Sequence, residues 1–166
     1  MKSEPQTIDT IIHSFKHYAL SDVIYNRHRA ISGFILGICV IDQLSCFYYK
    51  GNSSDTQWEN FVFKFMPDYA GKDIFKIFRN TVVHNYCGTS KFALCFDLDF
   101  PYPIKEIDGK WVISTHTFIR QLIRAFRMFE KEMREGKTDN CLYVLEWSKR
   151  HKVLTHNVIQ VGKSAE

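Results

Sequence analysis

A chain of 166 residues with 45% hydrophobic and 24% charged residues is long enough to bury its own core and too apolar for a disordered tail. Its net charge of +4 permits a polyanionic partner without demanding one, and its five scattered cysteines form no Cys-x2-Cys pair, which argues against a zinc knuckle or a secreted disulfide framework. Aromatic residues at 15%, with 14 phenylalanines, predict a bulky interior or an apolar dimer face.

Residues 1–6 have no apolar run behind them, so no signal peptide is expected. The longest apolar window, residues 31–40, is interrupted by Ser32, Gly33 and Gly37, meets Asp42, and reads as too short to span a bilayer. No membrane is therefore expected, and free thiols fit a reducing, cytoplasmic setting.

Residues 7–20 read as a first helix, with Ile8, Ile11, Ile12, Phe15 and Ala19 at helical spacing. His13 and His17 stand four apart on it, but no glutamate follows His13 and no third ligand is placed. The pair reads as a solvated face and no metal is expected. Ser21 and Asp22 offer an N-cap for a long second helix to about Tyr49. Its stripe of Ile31, Phe34, Ile35, Ile38, Ile41 and Leu44 marks the central core helix, with Asp42 and Gln43 close beside it, read as exposed or else as buried polar groups reaching the active site. Residues 50–55 read as a loop, with Gly51 placed to stop the helix.

Trp58, Phe61, Val62 and Phe65 mark a short third helix that Pro67 ends. From about Ala70 a fourth helix turns Ile74, Ile77, Phe78 and Val82 inward and terminates at residues 88–90. The period then changes: Phe92, Leu94, Phe96, Leu98 and Phe100 alternate with Ala93, Cys95, Asp97 and Asp99, as in a strand, until Pro101 and Pro103. Asp108-Gly109 predicts a two-residue hairpin turn. A small antiparallel ribbon is expected here, attached to the bundle without forming its core. Ser114 or Thr115 caps a final helix over about 116–135, whose apolar stripe is Phe118, Leu122, Ala125, Phe126, Phe129 and Met133. Its opposite side carries Arg120, Arg124, Arg127, Lys131 and Arg134, a basic ridge that reads either as a phosphate-contacting surface or as a solvated face partly neutralised by Glu130, Glu132 and Glu135.

The densest chemistry lies where the fourth helix ends, in Arg79-Asn80-(x3)-His84-(x)-Tyr86. A histidine titrates near neutrality and can remove a proton from a 2′-hydroxyl or deliver one to a leaving 5′-oxygen. An arginine supplies a permanent charge and a planar fork for two phosphate oxygens. An asparagine orients the ring or binds the phosphate without titrating. On a straight helix Asn80 and His84 share a face, whereas Arg79 and His84 diverge by about 140°. One protomer therefore assembles an incomplete site unless the helix unwinds near His84. A two-fold dimer apposing the motif from each chain supplies two histidines and two arginines to one cleft.

This motif resembles the signature of the HEPN domain, and its longer form ending in tyrosine is similar to that of HEPN toxins paired with a minimal nucleotidyltransferase antitoxin. The resemblance implies a homodimeric endoribonuclease, independent of metal and cofactor, of toxin or phage-defence type. Arg79 and His84 would be catalytic and Asn80 would assist them. Tyr86 would be the position that receives nucleotide groups from the partner and is thereby silenced. Arg120, Arg124, Arg127 and Lys131 would hold RNA. The alternative is a HEPN-like module that binds RNA, a nucleotide or a nucleotidyltransferase and cuts nothing. Together with the periodicities, the resemblance gives a mainly α fold in one domain over 1–166. The expected form is an antiparallel bundle of about five helices with a β-hairpin insertion at about 91–114 and a C-terminal extension from about 137, both of which depart from the compact toxins.

Overall fold

The computed structural model describes residues 7–49, 54–78 and 91–136, apart from Asp97 and the side chain of Phe75. The described chain is mainly helical, with one small sheet. It begins with α1 (Ile8–Ser14), where Thr7 and Thr10 make a reciprocal capping box. The helix does not stop at residue 20. It passes through a π-helical stretch, Phe15–Leu20, straight into α2 (Ser21–Tyr25). Ser21 caps nothing: its hydroxyl donates to the carbonyl of Lys16 at 3.0 Å, inside the continuing helix. The break expected at Ser21 falls instead at residues 26–29, four consecutive polar side chains with no apolar residue to hold a helical face inward. There the Asn26 amide folds back to donate to the carbonyl of Asp22 at 2.9 Å.

The central helix α3 (Ala30–Tyr48) follows. At 19 residues it is long and apolar enough to cross a membrane by length and composition, longer than the ten-residue window suggested. Here it is the core: Phe34, Ile38, Ile41, Leu44 and Phe47 are all buried by protein. Asp42 and Gln43, expected exposed, are half-buried on its flank. Helix α4 (Asp55–Phe65) starts at Ser54, whose hydroxyl accepts from the Gln57 amide, and buries Trp58, Phe61, Val62 and Phe65. Pro67 ends it as expected by opening a short 3-10 turn, Pro67–Tyr69.

Helix α5 begins at Ile74, not Ala70, and is described to Phe78. Gly71 and Asp73 both take positive φ (68° and 50°), a conformation no α-helix can propagate through.

The sheet has order β1-β3-β2, with β1 (Phe92–Cys95), β2 (Ile104–Ile107) and β3 (Lys110–Ser114). The hairpin is as expected: β2 and β3 are antiparallel, and Asp108 and Gly109 turn with φ of 51° and 72°. The alternating run at 92–100 pairs only over its first four residues, and parallel to β3, so the sheet is mixed. Cys95 lies opposite Ser114, where β3 becomes α6 (Thr115–Arg134), so Phe96 meets no further strand. Nor is the sheet a mere attachment: Phe92 and Ile113 belong to the core cluster.

Helix α6 is capped by Ser114, whose hydroxyl accepts from the Thr117 amide, and it buries the whole expected stripe from Phe118 to Met133. It runs parallel to α3, because the Gly33 position touches Ile119, the Gly37 position touches Phe118 and Leu122, and Tyr48 meets Glu132. It runs antiparallel to α1, because Arg134 pairs with Asp9 while Lys16 meets Glu130 at 2.8 Å.

Candidate functional site: a basic ridge and the approach to the Arg79 motif

Helix α6 gathers charge because its 3.6-residue period separates two sets of side chains. With its apolar stripe fixed inward, positions 120, 124, 127, 131 and 134 fall within about 80° of arc on the opposite side. All five side chains are exposed there. From Arg120 to Arg134 the ridge extends about 21 Å along the helix.

Its two ends differ. At the C-terminal end Arg134 bonds Asp9 and, at 2.9 Å, Glu130, so it clamps α1 to α6 and is committed to protein. Those two bonds raise the Arg134 guanidinium above its ordinary value. Burial pushes the Glu130 carboxyl up, but hydrogen bonds from Lys16 and Arg134 outweigh it and leave the group below the usual range. Lys131 reaches Glu135 only at 3.8 Å across an exposed surface, a contact worth little. Arg120, Arg124 and Arg127 make no ion pair with any described residue. Among the described residues the ridge therefore offers three guanidinium groups without an ion-pair partner and one weakly held lysine.

On the other flank of α6 lies a polar cluster the sequence reading missed. The Tyr48 hydroxyl donates to Glu132 Oε2 at 2.6 Å, and Lys64 Nζ approaches the same carboxylate at 2.8 Å while also bonding the Tyr48 hydroxyl. Lys64 also sits over the Tyr48 ring, 4.6 Å from its centroid. Burial, then the Glu132 bond, raise the Tyr48 phenol. Burial opposes the charge on Glu132, yet the bonds from Lys64 and Tyr48 hold its carboxyl below the usual range. The cluster ties α3, α4 and α6 together. Its three members come from three distant parts of the chain, so no local pattern announced it.

The sequence reading also missed the exposed basic turn Arg27-His28-Arg29, because it ran one helix through it. Four polar residues inside an apolar pattern were the available signal. The pair His13 and His17 is exposed as expected, with rings tilted by 33° at a centroid distance of 4.0 Å. Among the described residues no group of three or more His, Cys, Asp and Glu side chains is arranged to hold a metal ion.

Arg79, Asn80, His84 and Tyr86 lie outside the described residues, as do Val82, the expected helix end at 88–90, the loop at 50–53 and the extension from 137. What is described is the approach to the motif. Phe78, buried at the end of α5, packs against Phe34 at a centroid distance of 4.7 Å and against Phe92 at 5.2 Å. The residue before Arg79 is thus wedged between the central helix and the first strand. Phe34 in turn packs on Phe118 of α6 at 4.5 Å. One aromatic chain links Phe78 to the helix that carries the ridge.

No protein-family model matches the chain, and no curated protein or solved structure matches it either.

Proposed function

We propose that the protein is a HEPN-type endoribonuclease of toxin or phage-defence type, acting in the cytoplasm as a homodimer and cutting RNA without a metal ion. The observation that carries the reading is the Arg79-Asn80-(x3)-His84-(x)-Tyr86 motif, which begins directly after the aromatic wedge at Phe78. Arg120, Arg124 and Arg127, exposed and without an ion pair among the described residues, support it, since an RNA substrate needs a surface that neutralises phosphate outside the reacting centre.

In this reading His84 takes the proton from a ribose 2′-hydroxyl. The 2′-oxygen bonds to the adjacent phosphorus, the bond from phosphorus to the 5′-oxygen breaks, and the leaving oxygen gains a proton from the second protomer's histidine. Arg79 holds the charge that builds on the non-bridging oxygens, and Asn80 orients the ring or the phosphate. The products are a 2′,3′-cyclic phosphate and a free 5′-hydroxyl. Tyr86 is the position at which a nucleotidyltransferase antitoxin would attach nucleotide groups, adding an anion that repels RNA.

The test is substitution. Arg79→Ala and His84→Ala should each abolish cleavage while far-UV circular dichroism and the unfolding midpoint stay those of the wild type. Unchanged cleavage in both variants contradicts the reading. Loss of RNA binding on ridge reversal, with no cleavage by the wild type at any concentration, would favour a binding module.

A further inference from the structure

A second exposed basic patch lies near the N-terminal end of α6. A side chain at Gly33 would meet the carbonyl oxygen of Asn26 at 2.8 Å and the Ile119 side chain at 3.2 Å, so the turn at residues 26–29 abuts the first turns of α6. That turn presents Arg27, His28 and Arg29, all exposed. Arg27 donates to the carbonyl of Ile24 at 3.3 Å, which holds it against the end of α2, and neither Arg27 nor Arg29 makes an ion pair with a described residue. The turn therefore adds two cations near the N-terminal end of α6, on the side of the buried Ile119 and about 100° round the helix from Arg120.

Aromatic rings stand beside these cations. Tyr25, the last residue of α2, is 85% exposed among the described residues. Phe96, at the open end of β1, is 38% exposed and meets the edge of His28 with ring centroids 6.3 Å apart. The Tyr25 ring and the outer part of Phe96 thus meet solvent beside Arg27 and Arg29, at a cost in solvation free energy. Flat π-faces interleaved with guanidinium groups have the chemistry that binds unpaired bases and their phosphates. Stacked duplex bases offer no free face, whereas single-stranded bases do.

We infer that Tyr25, His28 and Phe96, with Arg27 and Arg29, form a stacking platform for single-stranded RNA, separate from the α6 ridge, that selects unpaired over duplex substrate. The inference rests on the RNA-directed reading above but not on its chemistry, since the platform binds whether or not His84 cuts.

The test uses the full-length His84→Ala protein and a mixed-sequence RNA of ~12 nucleotides, alone and annealed to its complement, with binding followed by fluorescence anisotropy. Single-stranded RNA should bind at least about tenfold tighter than the duplex. Tyr25→Ala and Phe96→Ala should each weaken single-strand binding by roughly tenfold, leave duplex binding unchanged, and be rescued by Tyr25→Phe and Phe96→Trp. Because Tyr25 is exposed, its replacement leaves the core intact, and an unchanged unfolding midpoint checks this. Equal affinity for the two RNAs, or single-strand binding insensitive to Tyr25→Ala, overturns the inference. Tight single-strand binding by a wild-type protein that never cleaves upholds the platform while contradicting the ribonuclease, so the two claims fail separately.

Discussion

Phe78 lies edge-on to Phe34, ring centroids 4.7 Å apart, so the residue immediately before Arg79 is fixed to the central helix. Removing this ring opens a cavity between α3 and β1 as well as losing its burial. Phe78→Ala should therefore destabilise the protein by about 3–5 kcal/mol. Urea unfolding measures it, and a loss below about 1 kcal/mol would contradict the wedge.

Gly37 sets how closely α3 approaches α6. A Cβ there would meet Phe118 Cε1 at 2.6 Å, and that ring is itself held by Phe34 and Tyr69. Gly37→Ala gains about 1 kcal/mol of helix propensity but incurs an overpacking cost of about 1–3 kcal/mol. The clash should win, lowering the unfolding midpoint. A stabilised variant would show that the two helices can part at no cost.

Glu130 and Glu132 each hold a carboxyl below the glutamate value of 4.5 in the folded protein. A depressed folded value means stability that is fully present above the unfolded pKa and lost as pH falls through the folded one. Glu130→Gln with Glu132→Gln should cost about 1 kcal/mol per site at neutral pH. The gap from wild type should shrink below pH 4.5 and close as pH falls through the lowered folded values. Urea unfolding across that range decides it. A gap independent of pH would mean that the carboxylate charge is not what stabilises these contacts.

Reversing Arg120, Arg124 and Arg127 to glutamate should leave the unfolding midpoint nearly unchanged, since all three are exposed and unpaired among the described residues. Affinity for RNA should fall, and the slope of log affinity against log salt should flatten by about 2, from roughly 0.7 per lost phosphate contact on a single strand. An unaltered slope would place the phosphate contacts elsewhere.

Apolar periodicity was a good but incomplete guide: on α3 the expected stripe is buried at Phe34, Ile38, Ile41 and Leu44, while Ile35 is half-buried and Ile31, in the first turn, is exposed. The α6 stripe, the α4 quartet and the Asp108-Gly109 turn are all where their periods or turn chemistry put them. The departures came where backbone conformation or a distant partner decides. Ser21 looked like a cap but bonds back to Lys16 within a continuing helix. Positive φ at Gly71 and Asp73 delayed α5. The alternating run from Phe92 stopped pairing at Cys95 because β3 turns into a helix there. For the site, the ridge was legible as a one-sided row of cations. Which of them are spent on protein was not, because Asp9 and Lys16 lie more than a hundred residues from their partners in sequence. The Arg79 motif was legible only as chemistry at a spacing.

The claim at the centre is that His84 cuts RNA without metal, and it is tested most directly by incubating the purified protein with total RNA in EDTA, wild type beside His84→Ala. Wild type alone should cleave and leave 2′,3′-cyclic phosphate ends. Intact RNA with both proteins, or equal cleavage by both, contradicts it.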